Sequence, residues 1–445
     1  MIEAATCPSA GRPAGAAVVV GALAGSEFTW LGGAPRQPPS LSSQQTWRKL
    51  IEVQTTSLVE LLSTAQLRAR SGRKWHAYAE DVLPAWIAEM DFPVAEPIRT
   101  ALRGLADEAA YGYEGGSAYA LLTTAFLEYM ERRFGWRPKS DLVLPVADLV
   151  QALFTAVTTY TQPGQGVVLQ TPIYPPFQNS VRDTGRRIVE NPLRDDGSSF
   201  AMDGSGLPEV FTADAPLMLL CNPHNPTGRA FSRSELEALA AVVVERNLVV
   251  VADEVHADLT YTGAVHVPFA SLSPEVEART VTITSATKAF NIPGLRCGVM
   301  HFGSPELRDR FRKVFPDRML GIVNRFGIQA TIVAWRECAD WLASVVGVLE
   351  SNRAQMTGFL SSELPEVRFY PPQATYLAWL DCRSLLPPGV NAQHYLLERA
   401  KVALSDGAEF SPAGGGEGRV RLNFGTSPQI LEEILTRLAT ALRQR

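Results

Sequence analysis

The tetrad Ser285-Ala286-Thr287-Lys288 follows the β-branched run Val281-Thr282-Ile283-Thr284, and Arg296 stands eight residues beyond the lysine. This spacing puts an amine, a hydroxyl and a guanidinium just past the end of one predicted buried strand. A lysine amine in that position can form a Schiff base with a carbonyl compound. Ser285 and Arg296 can hold a dianionic phosphate, the arginine through its planar fork of donors. Taken alone, the segment also describes a solvated lysine after a strand, so the weight falls on what neighbouring strands bring beside it.

Three other predicted strands in the same region end in polar residues, and in open α/β sheets ligands sit beyond the carboxyl ends of strands. The run ending at Cys221 leads into Asn222-Pro223-His224-Asn225-Pro226-Thr227-Gly228, whose prolines stiffen a loop that presents an amide. The run ending at Ala252 leads into Asp253, and the run ending at Gln170 into Thr171-Pro172-Ile173-Tyr174. One small molecule, pyridoxal 5'-phosphate, carries both an aldehyde and a phosphate and gives each residue a task. Asp253 would keep its ring nitrogen protonated, so that the ring withdraws electrons from the substrate Cα. Asn225 would donate to the ring phenolate, and Tyr174 would lay an aromatic face on the ring. Asp148 precedes the helical pattern from Leu149 to Tyr160 and reads as its N-cap, leaving the backbone amides of Leu149 and Val150 for a phosphate. Tyr113, in Tyr111-Gly112-Tyr113, is either a further phosphate donor or a packing aromatic. In Arg419-Val420-Arg421-Leu422-Asn423 two guanidiniums share one strand face; one suits bidentate capture of a carboxylate, and both also read as solvated surface arginines.

The elements around these positions predict an α/β fold. From Pro216 onward, aliphatic runs alternate with amphipathic helices, the pattern of a parallel sheet buried on both faces. Strands are expected near 166–170, 216–221, 248–252, 281–285 and 297–302. A capping box at Ser232 and Glu235 opens a helix through Arg246, and a helix begins at Ser304. Further helix across 325–360, strands at 374–380 and 420–423, and a last helix after Ser427 and Pro428 give the C-terminal part an α+β texture. The expected division is an N-terminal extension over 1–52, an N-terminal segment over 53–94, a large domain over 95–325 and a small one over 326–445. The Gly-rich run 414–418 does not follow a strand and precede a helix, so it predicts a loop rather than a dinucleotide fingerprint.

Composition bounds the partners. With 445 residues, 46% apolar content and a net charge of -5 lacking a basic stripe, the chain is expected to be a globular protein that does not bind nucleic acid. Five scattered cysteines and the lack of HExxH or CxxC spacing predict reduced thiols, a cytoplasmic location and no metal site. The Ala-, Gly-, Ser- and Pro-rich first fifty residues predict disorder. Their apolar stretch from Ala14 to Ala24 is too short to span a bilayer, and a single preceding arginine, Arg12, does not make a signal peptide.

Ser285-x-x-Lys288 with Arg296, Asp253-Glu254-Val255-His256, the Asn222–Gly228 loop and Arg421-Leu422-Asn423 together resemble the fold-type-I pyridoxal-phosphate enzymes of the class I/II aminotransferase superfamily, from about Val53 onward. Within it, Lys74-Trp75 followed by Asp81-Val82-Leu83-Pro84-Ala85-Trp86-Ile87-Ala88-Glu89-Met90-Asp91-Phe92 resembles the MalY/PatB group of cystathionine β-lyases. The resemblance implies that Lys288 is the reactive lysine, Asp253 the ring-nitrogen partner, Asn225 the phenolate donor and Tyr174 the stacking residue. It places His256 where many aminotransferases have a tyrosine touching the ring oxygen. It gives Ser285, Arg296 and the partner-facing Tyr113 to the phosphate, and Arg421 with the Ala88 backbone to the substrate carboxylate. It also implies a homodimer with shared active sites. The implied reaction is α,β-elimination of cystathionine or another cysteine S-conjugate to a thiol, pyruvate and ammonia. Arg296 follows the aminotransferase pattern and keeps transamination of an amino acid with a 2-oxo acid as the alternative. A non-catalytic regulator on the same fold is a third reading, against which stand Lys288, Asp253 and Arg421.

Overall fold

The computed structural model describes residues 59–443 apart from 114, 115, 205, 317 and 318; the expectation for residues 1–52 lies outside them. The central strands are β1 (Val143–Val146), β2 (Gly166–Leu169), β3 (Arg187–Glu190), β4 (Leu217–Cys221), β5 (Val249–Asp253), β6 (Thr280–Thr284) and β7 (Gly298–Phe302). They form one seven-stranded sheet in the order β1-β7-β6-β5-β4-β2-β3. Every pairing is parallel except those of β7, which runs against both its neighbours. Strands β4, β5 and β6 are buried along their whole length, which is why they read as continuous aliphatic or β-branched runs. The two edge strands escaped the sequence reading for opposite reasons. Pro145 interrupts β1 with a residue that cannot donate to a ladder and is tolerated at an edge, and β3 is a short Arg-Ile-Val-Glu segment with an exposed start.

Helices cover both faces. On one, α3 (Leu149–Tyr160), α4 (Pro175–Arg182) and α6 (Pro305–Val314) bury Leu153, Val157, Phe177 and Phe311 against Val167, Leu219, Val251 and Ile283. On the other, α5 (Arg233–Glu245) packs Leu236, Leu239 and Val243 on Met218, Leu220 and Val250. Each such side chain contributes about 1.5–3 kcal/mol by leaving water. The chain passes to one side of β2 to make β3 and returns to the other side to make β4, so the strand order reverses between β2 and β4. The residues after those two strands therefore border the crevice where such sheets bind ligands.

The expected helix across 325–360 resolves into two, α7 (Arg325–Glu337) and α8 (Ala339–Glu363), broken at Cys338. A second sheet follows, with β8 (Arg368–Phe369), β9 (Leu377–Asp381), β10 (Ser405–Asp406) and β11 (Arg419–Asn423) in the order β8-β9-β11-β10, antiparallel throughout. It is backed by α8 and α10 (Pro428–Arg443), whose stripe of Ile430, Leu431, Ile434, Leu435, Leu438 and Leu442 is buried.

Ahead of all this, Lys74 is almost wholly buried. Its Nζ lies 3.0 Å from the Asp91 carboxylate and donates to the Glu89 carbonyl at 2.9 Å, while Trp75 Nε1 donates to Asp91 at 2.7 Å. Two charges taken out of water in this way repay their desolvation only while both are present. Lys74→Met is expected to lower the unfolding free energy by about 3–5 kcal/mol in urea denaturation, with Lys74→Met/Asp91→Leu recovering part of the loss. An unchanged midpoint for the single variant would contradict this role.

Candidate active site

The carboxyl ends of β4, β5 and β6 deliver three residues to one place. Asn225 follows β4, Asp253 closes β5, and Lys288 sits in the loop after β6. Lys288 Nζ donates to the Ala88 carbonyl at 2.9 Å. The same carbonyl accepts the Tyr376 hydroxyl at 3.0 Å. Burial lowers the Lys288 ammonium to about 8, the nearby Arg421 cation adds to the fall, and the Asp253 carboxylate opposes it. A substantial neutral fraction near physiological pH follows, which a nucleophile or base requires.

Asp253 is buried, and that burial raises its carboxyl to about 7 against the backbone N–H of Val255 at 3.1 Å and the charge of Lys288. A carboxylate so poorly solvated gains strongly from a cation placed against it. His256 is buried beside it, edge-on to Tyr376 at 5.9 Å between ring centres. Burial lowers its imidazole to about 3, so it is neutral, and its Nδ1 has no partner.

Arg421 lies on β11, buried, while Arg419 is drawn outward to Asp381 at 3.1 Å; only one of the strand's arginines faces the site. Arg421 donates to Asn225 Oδ1 at 3.0 Å, to the Trp86 carbonyl at 2.9 Å and to Ser405 Oγ at 2.9 Å, and stands over the Phe410 ring. Because an arginine can only donate, it turns the Asn225 oxygen toward itself and leaves the Asn225 NH2 to donate elsewhere. Its own Nε is buried without a partner, the atom an incoming carboxylate would satisfy. Tyr174 precedes Pro175 at the start of α4 and donates its backbone N–H to the Asn225 carbonyl at 3.2 Å, so both ligand loops of the crevice are tied together.

At the expected phosphate seat, several of the expected donors have partners within the protein. Asp148 does cap α3, but its Oδ1 accepts the Val150 N–H at 2.7 Å and the Gln151 N–H at 3.0 Å, so the Val150 amide is committed within the protein. Ser285 likewise donates its hydroxyl to the Cys297 carbonyl at 2.6 Å and accepts from the Thr287 N–H at 3.1 Å. The donors at this corner are the Leu149 amide and Arg296, which adopts the left-handed conformation at φ 47° and reaches Asp148 Oδ2 at 2.6 Å. Arg296 thereby offsets the acidic cap that would repel an anion. Gly298 lets α3 come this close, since a Cβ there would sit 2.7 Å from the Leu149 side chain. Tyr113 is 97% exposed and joins none of these residues.

The donor set fits the pyridoxal phosphate implied by the resemblance. Asp253, with its underpartnered carboxylate, suits the ring nitrogen. The free Asn225 amide suits the phenolate, the Lys288 amine the aldehyde carbon, and Leu149 with Arg296 the phosphate. Tyr376 and Ser405 were missed by sequence reasoning. Neither belongs to a motif; Tyr376 had only its place inside the expected strand 374–380 as a signal.

The chain belongs to the aminotransferase class I and II family, which it matches over residues 88–438. Among characterised relatives it is 36% identical over 375 residues to cystathionine beta-lyase PatB of Bacillus subtilis (strain 168), covering 83% of this chain and 96% of that one. It is 33% identical over 384 residues to cystathionine beta-lyase of Corynebacterium glutamicum, covering 85% and 98%. Its fold is similar to the PLP-bound C-S lyase of Staphylococcus hominis, with a TM-score of 0.79 at 26% identity over 87% of this chain and 98% of that one.

The raised carboxyl of Asp253 has a measurable consequence. An acid whose folded pKa, about 7, exceeds its unfolded value of 3.8 contributes stability below the unfolded value that is lost as pH rises through the folded one. In protein stripped of bound ligand, Asp253→Asn should therefore gain on the wild type by about 2–3 kcal/mol between pH 5 and pH 8 in parallel urea titrations. A stability difference that does not change with pH would contradict the shift.

Proposed function

We propose that this chain is a pyridoxal-phosphate-dependent carbon–sulfur β-lyase that cleaves cystathionine or a related cysteine S-conjugate to a thiol, pyruvate and ammonia. The observation that carries this reading is the meeting of Lys288, Asp253, Asn225 and Arg421 at one crevice, each with the hydrogen-bonding capacity its task needs. The two cystathionine beta-lyase relatives and the C-S lyase fold neighbour support elimination as the outcome.

Bound pyridoxal phosphate supplies an electron sink for negative charge at the substrate Cα. Arg421 holds the substrate α-carboxylate through the edge that ends in its unpartnered Nε, with Phe410 beneath it. Asp253 keeps a proton on the ring nitrogen, and the cation there returns its carboxyl to the ionised form. Asn225 donates from its NH2 to the phenolate oxygen. The neutral Lys288 amine, aimed by the Ala88 carbonyl, removes the Cα proton. A thiolate then leaves Cβ with the electrons of the C–S bond, and the enamine product hydrolyses to pyruvate and ammonia.

The same reading assigns a homodimer. Tyr113 and Tyr111 are 97% and 69% exposed, Met319 and Ile322 are 65% and 63% exposed, and Tyr111 stacks on Phe326 beside them, an apolar surface that a second copy would cover and from which Tyr113 would reach the partner's phosphate. The setting is cytoplasmic in this proposal; among the described residues no helix is long and apolar enough to cross a membrane.

Incubation of the purified enzyme with cystathionine should release thiol and pyruvate in equal amounts without an added 2-oxo acid, and Lys288→Ala should abolish both that release and the visible absorption band of the holoenzyme. Product formation that depends on a 2-oxo acid would instead establish transamination, and a Lys288→Ala variant with undiminished turnover would overturn the assignment of the lysine.

A further inference from the structure

The Ala88 carbonyl accepts twice, and the mechanism proposed above uses only one of its donors. Lys288 Nζ donates to it at 2.9 Å and the Tyr376 hydroxyl at 3.0 Å, which takes up both lone pairs of the oxygen. Burial holds the Tyr376 phenol well above its ordinary pKa, so it stays protonated and donates throughout the physiological range, while the Lys288 amine titrates within it. The chain enters Tyr376 through a strained residue. Thr375 is wholly buried at φ 68°, in the left-handed region where a β-branched side chain is an outlier. Three bonds hold it there: its N–H donates to the Leu259 carbonyl at 2.8 Å, its carbonyl accepts the Tyr261 hydroxyl, and its Oγ1 accepts the Leu377 N–H at 3.1 Å. Just beyond, the Tyr376 carbonyl accepts the Phe424 N–H at 2.9 Å, and its ring lies edge-on to His256. Strain of this kind persists where the surroundings over-determine a conformation, and here it fixes the direction of one hydroxyl.

The effect of that hydroxyl on the lysine follows from hydrogen-bond energetics. An ammonium gains more from a carbonyl than a neutral amine does, and a carbonyl already accepting from a phenol has less to give. Among the described residues no second acceptor lies within hydrogen-bonding distance of Lys288 Nζ. The charges acting on Lys288 are Arg421 from β11, which favours the neutral amine, and Asp253 from β5, Glu89 from the 86–92 segment and Asp148 at the start of α3, which favour the ammonium. Tyr376 faces Arg421, Glu89, Tyr174 and the neutral His256. None of these donates to the shared oxygen. We propose that Tyr376 is a positioning residue: by occupying one lone pair of the Ala88 carbonyl it fixes that oxygen and denies it to Lys288 as a full ammonium partner, so that the amine is presented neutral and loosely held. The proposal rests on Lys288 being the reactive amine of the lyase reading.

The test compares the wild type with Tyr376→Phe, which removes the hydroxyl and keeps the ring, and with Tyr376→p-aminophenylalanine, which restores a donor in the same place. In the full-length protein stripped of bound ligand, brief acetic anhydride labelling across a pH series, with the Lys288 peptide read by mass spectrometry, gives the pH at which that amine is half-reactive. Tyr376→Phe is expected to raise this midpoint by about one pH unit, the roughly tenfold gain for the ammonium that a charge-assisted bond to an unshared carbonyl provides. The p-aminophenylalanine variant should keep the wild-type midpoint. In the holoenzyme, the acid limb of kcat for thiol release from cystathionine should rise with the labelling midpoint, because a protonated Lys288 cannot act as the base. A raised labelling midpoint without thiol release from any of the three proteins would leave Tyr376 in its role and refute the lyase reading. A midpoint that Tyr376→Phe leaves in place or lowers overturns the proposal, even where its melting temperature falls, since that marks a structural role alone. An equal rise in the p-aminophenylalanine variant also overturns it, because the cause would then be packing and not the donor.

Discussion

The whole site depends on how residues 86–92 are held, because nearly every backbone carbonyl in that segment is claimed by a side chain from another element. Trp86 O accepts from Arg421 and Ser405, Ile87 O and Glu89 O from Asn423, and Ala88 O from Lys288 and Tyr376. Asn291 takes the Met90 N–H and donates to the Met90 and Phe92 carbonyls, and Asp91 is locked by Lys74 and Trp75. Asn291 lies three residues after Lys288 and Asn423 two after Arg421. One extended segment is therefore stitched to both the loop after β6 and the strand β11, and it sets the distance between the amine and the guanidinium. An asparagine suits position 291 doubly, since its amide supplies both donor and acceptor and its backbone, at φ 56°, is one that asparagine tolerates better than most residues.

Burial then does the electrostatic work. The crevice holds Lys288, Asp253 and Arg421 with too little water to solvate three charges, and each answers by moving toward its neutral form: the lysine to about 8, the acid up to about 7, the arginine down to about 10. These shifts cost stability and leave groups primed for a ligand bearing complementary charge, a trade that stabilised binding sites commonly make.

Much of this was legible because buried parallel strands announce themselves as aliphatic runs and because the polar residues just past them are few. Asn225, Asp253 and Lys288 each follow or close such a run, Arg421 lies on the antiparallel strand β11, and the structure brings all four together. What escaped the reading travels through backbone carbonyls, which have no residue identity to recognise: the hold of Tyr376 on Ala88, of Ser405 on Trp86, and of Asn291 on Met90. The partners of the expected phosphate donors are hidden in the same way. Nothing in the types Ser285 and Val150 reveals that Cys297 O and Asp148 Oδ1 already occupy their protons. Edge strand β1 was missed because Pro145 interrupts its apolar run, and β3 because its charged ends leave only two aliphatic residues.

The central claim is that Lys288, and no other lysine, is the amine presented to the cofactor. Reduction of the holoenzyme with borohydride followed by peptide mapping tests it without relying on a variant. The account predicts the cofactor-derived mass on the peptide containing Lys288 alone. Label on Lys74, the other deeply buried lysine among the described residues, or on any other lysine with Lys288 unmodified would contradict it.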